Sequence, residues 1–210
     1  MTTCKRCSPV SFSARPEEVE NRDGWTVALK YGGEGEGPFL FDLSHRVRYD
    51  VQDNNIAGLD PFNLSVPTAP GNCNFENGFL VNRMNRTQIS VWHLAGETPE
   101  TPPGSAFTET TDATVFLAIN GPGVFLIAEK LTSLDLSDPA VVVPFLAQGP
   151  LCHVPCQVVV LEREEKSGTI LFTCSRGYAH SLVQAVLDAG QEFGLRPAGE
   201  KRFLGLLEGK

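Results

Sequence analysis

The stretch from Phe39 to Val51, FLFDLSHRVRYDV, carries apolar or aromatic side chains at every odd position except His45. From residue 42 onward the even positions are polar: Asp42, Ser44, Arg46, Arg48 and Asp50. Because successive side chains of a β-strand point to opposite faces, this period of two predicts one long strand with one buried face. A sheet therefore organises the N-terminal part of the predicted fold.

His45 admits three interpretations: a catalytic or ligand-binding histidine, a buried core histidine, or a residue that only marks a family. The pattern places it on the same face as Leu43 and Val47. The other histidines, His93, His153 and His180, are scattered, and no second histidine or carboxylate stands at ligand spacing. We therefore expect a buried, hydrogen-bonded side chain.

The charged face of this predicted strand has two interpretations. Alternating arginines and aspartates are typical of a solvated surface, which is the interpretation that the sequence favours. If the face lines a cavity instead, Arg46 and Arg48 would suit a polycarboxylate such as the glutamate tail of a folate. Any ligand pocket is then expected beside Asp42, Arg46 and Arg48.

Two further segments of the N-terminal half predict strands. WTVALKY, residues 25–31, is typical of a short strand. GFLVNRMNRTQISVWHLAG, residues 78–96, has strand character at both ends around the polar residues 85–88, which predicts a hairpin. The proline-rich segment 97–109 then separates this half from the rest of the chain.

The C-terminal half alternates between strand and helix patterns. Strands are predicted at 111–120, 156–163 and 168–175, and helices at 121–131 and 178–190. Pro122 marks the expected start of the first helix and Gly190 the end of the second. This order, with neighbouring strands able to form hairpins, favours an α+β fold with an antiparallel or mixed sheet and helices on one face.

Composition and charge limit the classes of protein. The chain is 41% hydrophobic and 20% charged, which is typical of a folded globular protein. Its formal net charge is −8 and it has no cluster of lysine and arginine, so we expect neither nucleic acid nor a membrane as partner. No apolar run typical of a secretory signal follows the N-terminal residues, which favours a cytoplasmic protein.

Six cysteines raise the hypothesis of a metal or redox module. Cys4 and Cys7 form a CxxC and Cys152 and Cys156 a CxxxC, which together could complete a four-sulfur zinc site. In a reducing compartment unpaired thiols are the simpler interpretation, so no metal is expected. The segment CHVPC is typical of a turn entering a strand, which argues against a nucleophile pair of Cys152 and His153.

Several stretches resemble the aminomethyltransferase family, the T-protein of the glycine cleavage system. They are GWTVALKY, FDLSH, NGPGVFLIAEKLTSLDLSD and YAHSLVQAVLDAGQEFGLRPAGEKRFLGLLEGK. LSVPTAPGNC, RMNRTQISVW, LTSLDLSD and CSRGYAHSLVQAVLDAGQEFG are similar to the gamma subunit of heterotetrameric sarcosine oxidase. Both relatives belong to the folate-binding aminomethyltransferase superfamily, and the resemblance covers residues 24–208.

The sequence departs from this family at two acidic positions. The resemblance implies an acidic pair after the hairpin turn, near folate and the transferred carbon, where this chain has Arg86, Thr87 and Gln88. The family's Tyr-Thr-Gly-Glu turn corresponds to residues 166–169, Lys-Ser-Gly-Thr. Neither position keeps a carboxylate to stabilise an iminium-like carbon unit, so no catalytic residue is predicted.

The leading hypothesis is an accessory, non-catalytic T-protein-like subunit of a one-carbon enzyme complex, of the sarcosine oxidase-like or methylamine-demethylating type. Its expected partners are flavin- or folate-dependent subunits of that complex. The alternative is a compact tetrahydrofolate-dependent aminomethyl or methyl transferase, and a third hypothesis is the cysteine-based metal or redox module. If folate binds, the candidate binding residues are Asp42, Arg46, Arg48 and Arg196.

The resemblance also implies a domain organisation. Residues 1–22 are expected to form a flexible N-terminal segment and residues 23–210 a single T-protein-like domain. That domain would consist of two intertwined α+β halves, at about 23–97 and 106–210.

Overall fold

The computed structural model describes residues 5–104 and 106–208, in which the chain forms thirteen strands and three α-helices. The strands are β1 (Pro16–Arg22), β2 (Trp25–Tyr31), β3 (Phe39–Asp42), β4 (Arg48–Gln52), β5 (Cys73–Glu76), β6 (Phe79–Arg83), β7 (Gln88–His93), β8 (Phe107–Glu109), β9 (Thr114–Pro122), β10 (Phe145–Leu151), β11 (Val154–Arg163), β12 (Ser167–Ser175) and β13 (Arg196–Ala198). The helices are α1 (Val124–Leu131), α2 (Ala179–Gly190) and α3 (Glu200–Leu207).

The larger sheet has six strands in the order β10-β11-β12-β9-β3-β13. Its neighbours are antiparallel except β13 and β3, which are parallel, so the expected mixed sheet is confirmed. Cys152 and His153 connect β10 to β11 with φ angles of 47° and 67°, as a two-residue hairpin turn requires. The prediction of a turn entering a strand at CHVPC is therefore confirmed.

The second sheet has five strands in the order β5-β6-β7-β4-β8, and β1 and β2 form a separate antiparallel pair. β6 and β7 are joined by residues 84–87, which confirms the predicted hairpin. The strand predicted at 25–31 is β2, and β9, β11 and β12 correspond to the three predicted C-terminal strands.

Apolar residues cover both faces of the six-stranded sheet. On one face β9, β11 and β12 pack against α1 and α2 through Ile127, Val183 and Val186. On the other face Phe41 and Phe116 join a core that includes Trp92 of β7 and Phe203 of α3. The expectation of helices on one face therefore holds for α1 and α2 but is wrong for α3.

The stretch 39–51 forms two strands in two different sheets, so the prediction of one long strand is wrong. Between β3 and β4 the chain turns: Ser44 N donates to Asp42 Oδ1 (3.0 Å) and Arg46 N donates to the Leu43 carbonyl (2.8 Å). Residues at both odd and even positions are buried because the chain crosses between two packed layers. Arg46 is 5% and Arg48 1% exposed, so the solvated interpretation of their face is also wrong.

The structure corrects the predicted start of the first helix and confirms the predicted end of the second. Pro122 is the last residue of β9, and α1 begins at Val124 after Gly123, whose φ is 72°. Gly190 is the last residue of α2, as predicted, but a 3₁₀ turn continues the chain to Gly194, whose φ is 74°. Gly194 ends the helical region because glycine accepts left-handed backbone angles, and Gly123 uses the same freedom in the turn that precedes α1.

The predicted domain boundaries stay a prediction, although parts of the N-terminal segment contact the rest of the molecule. Ser8 Oγ donates to Asp42 Oδ2 (2.5 Å), Phe12 packs edge-on against Tyr31, and β1 pairs with β2. No helix in the described part of the chain is long and apolar enough to cross a membrane.

Candidate functional site

The first residue of α3, Glu200, carries a carboxylate that is buried between distant parts of the chain. The backbone at Gly199 fixes its position: a Cβ added there would lie 2.2 Å from the Leu29 carbonyl oxygen, so only glycine fits against β2. Glu34 secures the same turn, since its Oε1 accepts hydrogen bonds from Gly199 N (2.9 Å) and Tyr31 N (2.8 Å). The start of α3 is thereby locked onto β2.

Glu200 contacts three basic side chains. Its Oε1 lies 2.6 Å from His45 Nε2 and 2.5 Å from Arg46 NH2. Arg22 binds it with both terminal nitrogens, NH1 to Oε1 at 3.1 Å and NH2 to Oε2 at 3.0 Å. The expectation of a buried, hydrogen-bonded His45 is confirmed, because its side chain is 8% exposed. One carboxylate thus serves two guanidinium groups and an imidazole.

These contacts determine the protonation of Glu200. Burial alone would raise the pKa of its carboxyl, but the hydrogen bonds from His45 and Arg22 and the charges of His45 and Arg46 hold the pKa well below its usual range. Glu200 is therefore ionised across the physiological pH range. Burial lowers the pKa of Arg46, and the carboxylate of Glu200 opposes that shift.

A cavity of about 560 Å³ opens beside this cluster, a volume within the usual range for small-molecule sites. It is lined by Arg6, Glu20, Arg22, Asp23, Trp25, His45, Arg46, Val47, His93, Gly96, Glu97, Thr98 and Leu204. We call it the Arg46 cavity. It is formed by the ends of β1, β2 and β7, the turn before β4, and α3.

His93 forms part of the wall of the Arg46 cavity and is almost fully buried. Burial, and then the nearby charge of Arg46, lowers the pKa of His93 to about 4. The imidazole is therefore neutral at pH 7, and its ring packs against Phe79 with centroids 4.9 Å apart. It supplies a neutral polar surface beside a charged one.

Asp42 and Arg46, two of the predicted ligand residues, lie on adjoining cavities. Asp42 lines a smaller cavity of about 140 Å³ together with Ser8, Tyr31 and the shared residues Trp25 and His45. Asp42 and Arg46 therefore line two different cavities that share Trp25 and His45, and a ligand pocket at these residues stays a prediction.

Arg48 lies elsewhere and is saturated by the backbone. Its NH1 donates to the Arg46 carbonyl (2.5 Å), its NH2 to the carbonyls of Thr111 (2.9 Å) and Thr114 (3.2 Å), and its Nε to Thr114 Oγ1 (3.0 Å). The guanidinium carbon also lies 5.1 Å from the centre of the Phe116 ring. Burial lowers the pKa of Arg48 to about 9. This side chain ties loops together.

A third cavity, of about 260 Å³, borders Arg48 and the hairpin turn where the resemblance implies an acidic pair. Gln88 Nε2 donates to Asp50 Oδ1 at 2.6 Å, and Ser90 Oγ donates to Gln157 Oε1 at 2.9 Å. Asp50, on β4, thus places a carboxylate beside Gln88 even though the hairpin itself has none.

The remaining predicted residues do not join a site. Arg196 is exposed at the start of β13, where its Nε donates to the Gly194 carbonyl (3.1 Å). Cys4 lies outside the described residues and Cys7 is exposed. Cys156, on β11, is buried in the core beside Cys174 of β12. Within residues 5–104 and 106–208, no group of three or more potential ligands is placed to hold a metal ion.

Sequence reasoning missed Glu200, Arg22 and His93. The partners His45 and Glu200 are 155 residues apart, so no local pattern connects them. The available signal was an acidic residue directly after the glycine of GLRPAG, at a helix N-terminus where a carboxylate is favoured.

Comparisons with known proteins support the resemblance seen in the sequence. The chain is 24% identical over 190 residues to an aminomethyltransferase from Bacteroides thetaiotaomicron, covering 76% of this chain and 50% of the relative. It therefore spans about half the length of that relative. No family model matches the chain.

The fold is similar to a chain of the heterotetrameric sarcosine oxidase from Corynebacterium sp. U-96, solved in complex with pyrrole 2-carboxylate. The TM-score is 0.58 at 16% identity, and the match covers 73% of this chain and 84% of that one. The resemblance to aminomethyltransferases and to sarcosine oxidase is confirmed, and the mixed α+β fold is shared with a sarcosine oxidase chain.

Proposed function

We propose that this protein is a cytoplasmic, T-protein-like accessory subunit of a one-carbon enzyme complex, of the sarcosine oxidase-like or methylamine-demethylating type. The observation that carries the proposal is the fold match, which extends over 84% of one chain of a heterotetrameric oxidase. The aminomethyltransferase match covers only half of that relative. The chain would serve as a folded platform for subunits that hold flavin or folate.

The chemistry of the hairpin region supports a role without catalysis. The resemblance implies carboxylates near residues 86–88, where this chain has Arg86, Thr87 and Gln88, and at position 169, where it has Thr169. Arg48, which borders the same cavity, is engaged by loop carbonyls and is not available to a substrate. A fold can persist after the chemistry of its ancestral site has changed.

Purification of the tagged chain at its native expression level from its own host tests this proposal. We expect co-purification of larger subunits in fixed stoichiometry, with the absorbance of bound flavin in the same fraction. A chain that elutes alone after mild crosslinking of intact cells would overturn the proposal.

A compact tetrahydrofolate-dependent aminomethyl or methyl transferase is the second candidate, and Asp50 is the observation that favours it. Its carboxylate borders the 260 Å³ cavity next to Gln88, close to where the resemblance implies an acidic group. That cavity lies below the usual volume of sites for drug-sized ligands. Calorimetry with millimolar tetrahydrofolate, compared between the parent chain and Asp50→Asn, separates the candidates: heat that depends on Asp50 would favour the transferase.

The Arg46 cavity is large enough for part of a tetrahydrofolate, but its charges do not fit the dicarboxylate tail. Arg46 could hold one carboxylate, whereas Asp23 and Glu97, exposed residues of the lining, would repel the second; Glu20 is already paired with Arg22. The residues present thus favour a ligand with a different charge pattern.

A further inference from the structure

Two buried thiols face each other at one end of the six-stranded sheet. Cys156 lies near the start of β11 and Cys174 near the end of β12, and these strands are antiparallel neighbours. Their register pairs Gln157 with Thr173, so the two cysteines are the next facing residues. Both belong to the core on the α1 and α2 face of the sheet and are 6% and 5% exposed. The thiols therefore lie side by side on one face.

Facing positions on antiparallel strands come close to the geometry that a disulfide requires. Their Cβ atoms lie about 4.5–5.5 Å apart, and a disulfide joins Cβ atoms about 3.5–4.5 Å apart, so a small approach of the two strands is enough. Cys73 offers a comparison, because it is a buried thiol that belongs to the core on the opposite face of the sheet. Cys156 and Cys174 are thus placed for a covalent link between β11 and β12.

The two thiols differ in acidity because they share a hydrogen bond. The hydrogen bond from Cys174 lowers the pKa of Cys156, and burial offsets this shift only in part. The same hydrogen bond, together with burial, raises the pKa of Cys174. Cys156 Sγ also contacts the backbone of the adjoining turn, where it donates to the Val154 carbonyl at 3.3 Å. Cys156 is therefore the thiol that ionises more readily, and the thiolate is the nucleophilic form.

The pair lies close to the surface, although the two side chains are buried. The chain neighbours Pro155 and Ser175 are exposed, since β11 begins and β12 ends at this edge of the sheet. Cys152, in the turn before β11, is half-buried; burial, and then the nearby charge of Cys156, raises its pKa. The small remaining exposure of Cys156 and Cys174 favours a small oxidant over a bulky one.

We propose that Cys156 and Cys174 form a reversible oxidation site, at which hydrogen peroxide converts the two thiols into a disulfide that joins β11 to β12. The Cys156 thiolate attacks one peroxide oxygen, the O–O bond breaks, and the hydroxide that leaves takes up the proton lost from Cys156. The Cys174 sulfur then attacks the sulfenic acid of Cys156, the S–O bond breaks, and the Cys174 proton leaves with the hydroxyl group as water. Two thiols are oxidised and one peroxide is reduced to two waters. A small dithiol reverses the reaction by exchange.

Peptide mapping of the full chain tests this inference. The reduced protein is treated with hydrogen peroxide, its free thiols are alkylated in denaturant, and the tryptic digest is analysed with and without dithiothreitol. We expect a disulfide between the peptides 131–163 and 167–176 that dithiothreitol cleaves. Burial raises the pKa of Cys73 to about 13. Cys73 should therefore oxidise at least about tenfold more slowly than the pair.

Substitutions assign the linked residues. Cys156→Ala and Cys174→Ala should each abolish the link, whereas Cys152→Ser, in the same peptide as Cys156, should keep it. Cys73→Ala, the matched control at another buried thiol, should also keep it. Because a disulfide constrains the unfolded chain, peroxide should raise the Tm of the parent by roughly 5 °C and leave that of Cys174→Ala unchanged. The map of the parent protein decides the question even if an alanine variant does not fold.

Three outcomes would overturn the inference. They are full alkylation of both Cys156 and Cys174 after peroxide treatment, a link that disappears in Cys152→Ser, and oxidation of Cys73 as fast as that of the pair. The inference concerns the chain by itself, so it can fail while the proposed function stands, and the reverse.

Discussion

Arg46 and Arg48 are separated by one residue and are both buried, yet their surroundings differ completely. Arg48 donates from all three side-chain nitrogens to carbonyl and hydroxyl oxygens of Ser44, Arg46, Thr111 and Thr114. Arg46 pairs with a shared carboxylate, and its Nε has no partner in the described chain. The difference teaches that burial of an arginine does not define its role; the saturation of its donors does.

The largest effect is expected for Arg48→Met. The substitution fills similar space but leaves several buried carbonyls without a donor, each costing about 1–3 kcal/mol, so we expect a loss of roughly 4 kcal/mol in the free energy of unfolding. Urea denaturation measures it. A loss below about 1 kcal/mol would show that water replaces the guanidinium and that Arg48 does not tie the loops together.

The second largest effect is expected for Glu200→Gln, with a loss of roughly 3 kcal/mol in the free energy of unfolding at pH 7. The substitution leaves Arg22 and Arg46 without their common counter-ion. The folded pKa of Glu200 lies below its ordinary value, so its contribution is present above the unfolded pKa and is lost as the pH falls through the acid range. The difference in the free energy of unfolding between the variant and the parent should therefore become smaller below about pH 4. Glu129→Gln, on the exposed side of α1, is the matched control. A difference in the free energy of unfolding between Glu200→Gln and the parent that stays constant with pH would contradict the role of the ionised Glu200.

The lowered pKa of His93 predicts that stability depends on pH in a range above that of Glu200. Its pKa is lowered from 6.5 to about 4, so the unfolded chain binds the proton more readily and stability falls as the pH drops from 6.5 to 4. The loss should approach about 3 kcal/mol. His93→Gln should flatten this slope in pH-dependent denaturation, whereas His180→Gln, at an exposed site, should leave it unchanged.

Arg46→Met should have the smallest effect on stability, about 1 kcal/mol or less, because Glu200 keeps Arg22 and His45 as partners. Denaturation in parallel with Arg48→Met measures the contrast directly. Equal losses for the two variants would mean that Arg46 is as structural as Arg48, and the distinction drawn from their donors would fail.

The sequence predicted the parts of the fold that follow from local periodicity. The hairpin around residues 85–88, the strands β11 and β12, and the helix α2 appear where the patterns placed them. The prediction of one strand at 39–51 is wrong because an alternating pattern shows which residues are apolar but does not show which sheet they join. The turn at Leu43 to Val47 is held by hydrogen bonds that an alternating pattern also permits.

The candidate site was less predictable. A buried His45 could be inferred from its apolar neighbours, and a pocket near Arg46 from the chemistry of arginine. Glu200, by contrast, is brought to His45 by the docking of α3 onto β2, which depends on packing between residues far apart in the chain. Arg48 is predicted as a ligand-binding residue because a sequence does not show that its hydrogen-bond donors are taken by loop carbonyls.

The close approach of Gly199 to the Leu29 carbonyl has a consequence for the descent of this protein. Because no side chain fits at position 199, we expect this glycine and the glutamate that follows it to be kept or lost together in related chains. A related chain that replaced the glycine would have to shift its last helix, and the acid behind it would then be left without its three basic partners. We expect such chains to have lost both residues together, so the dipeptide Gly-Glu at this point marks the relatives that share the cavity.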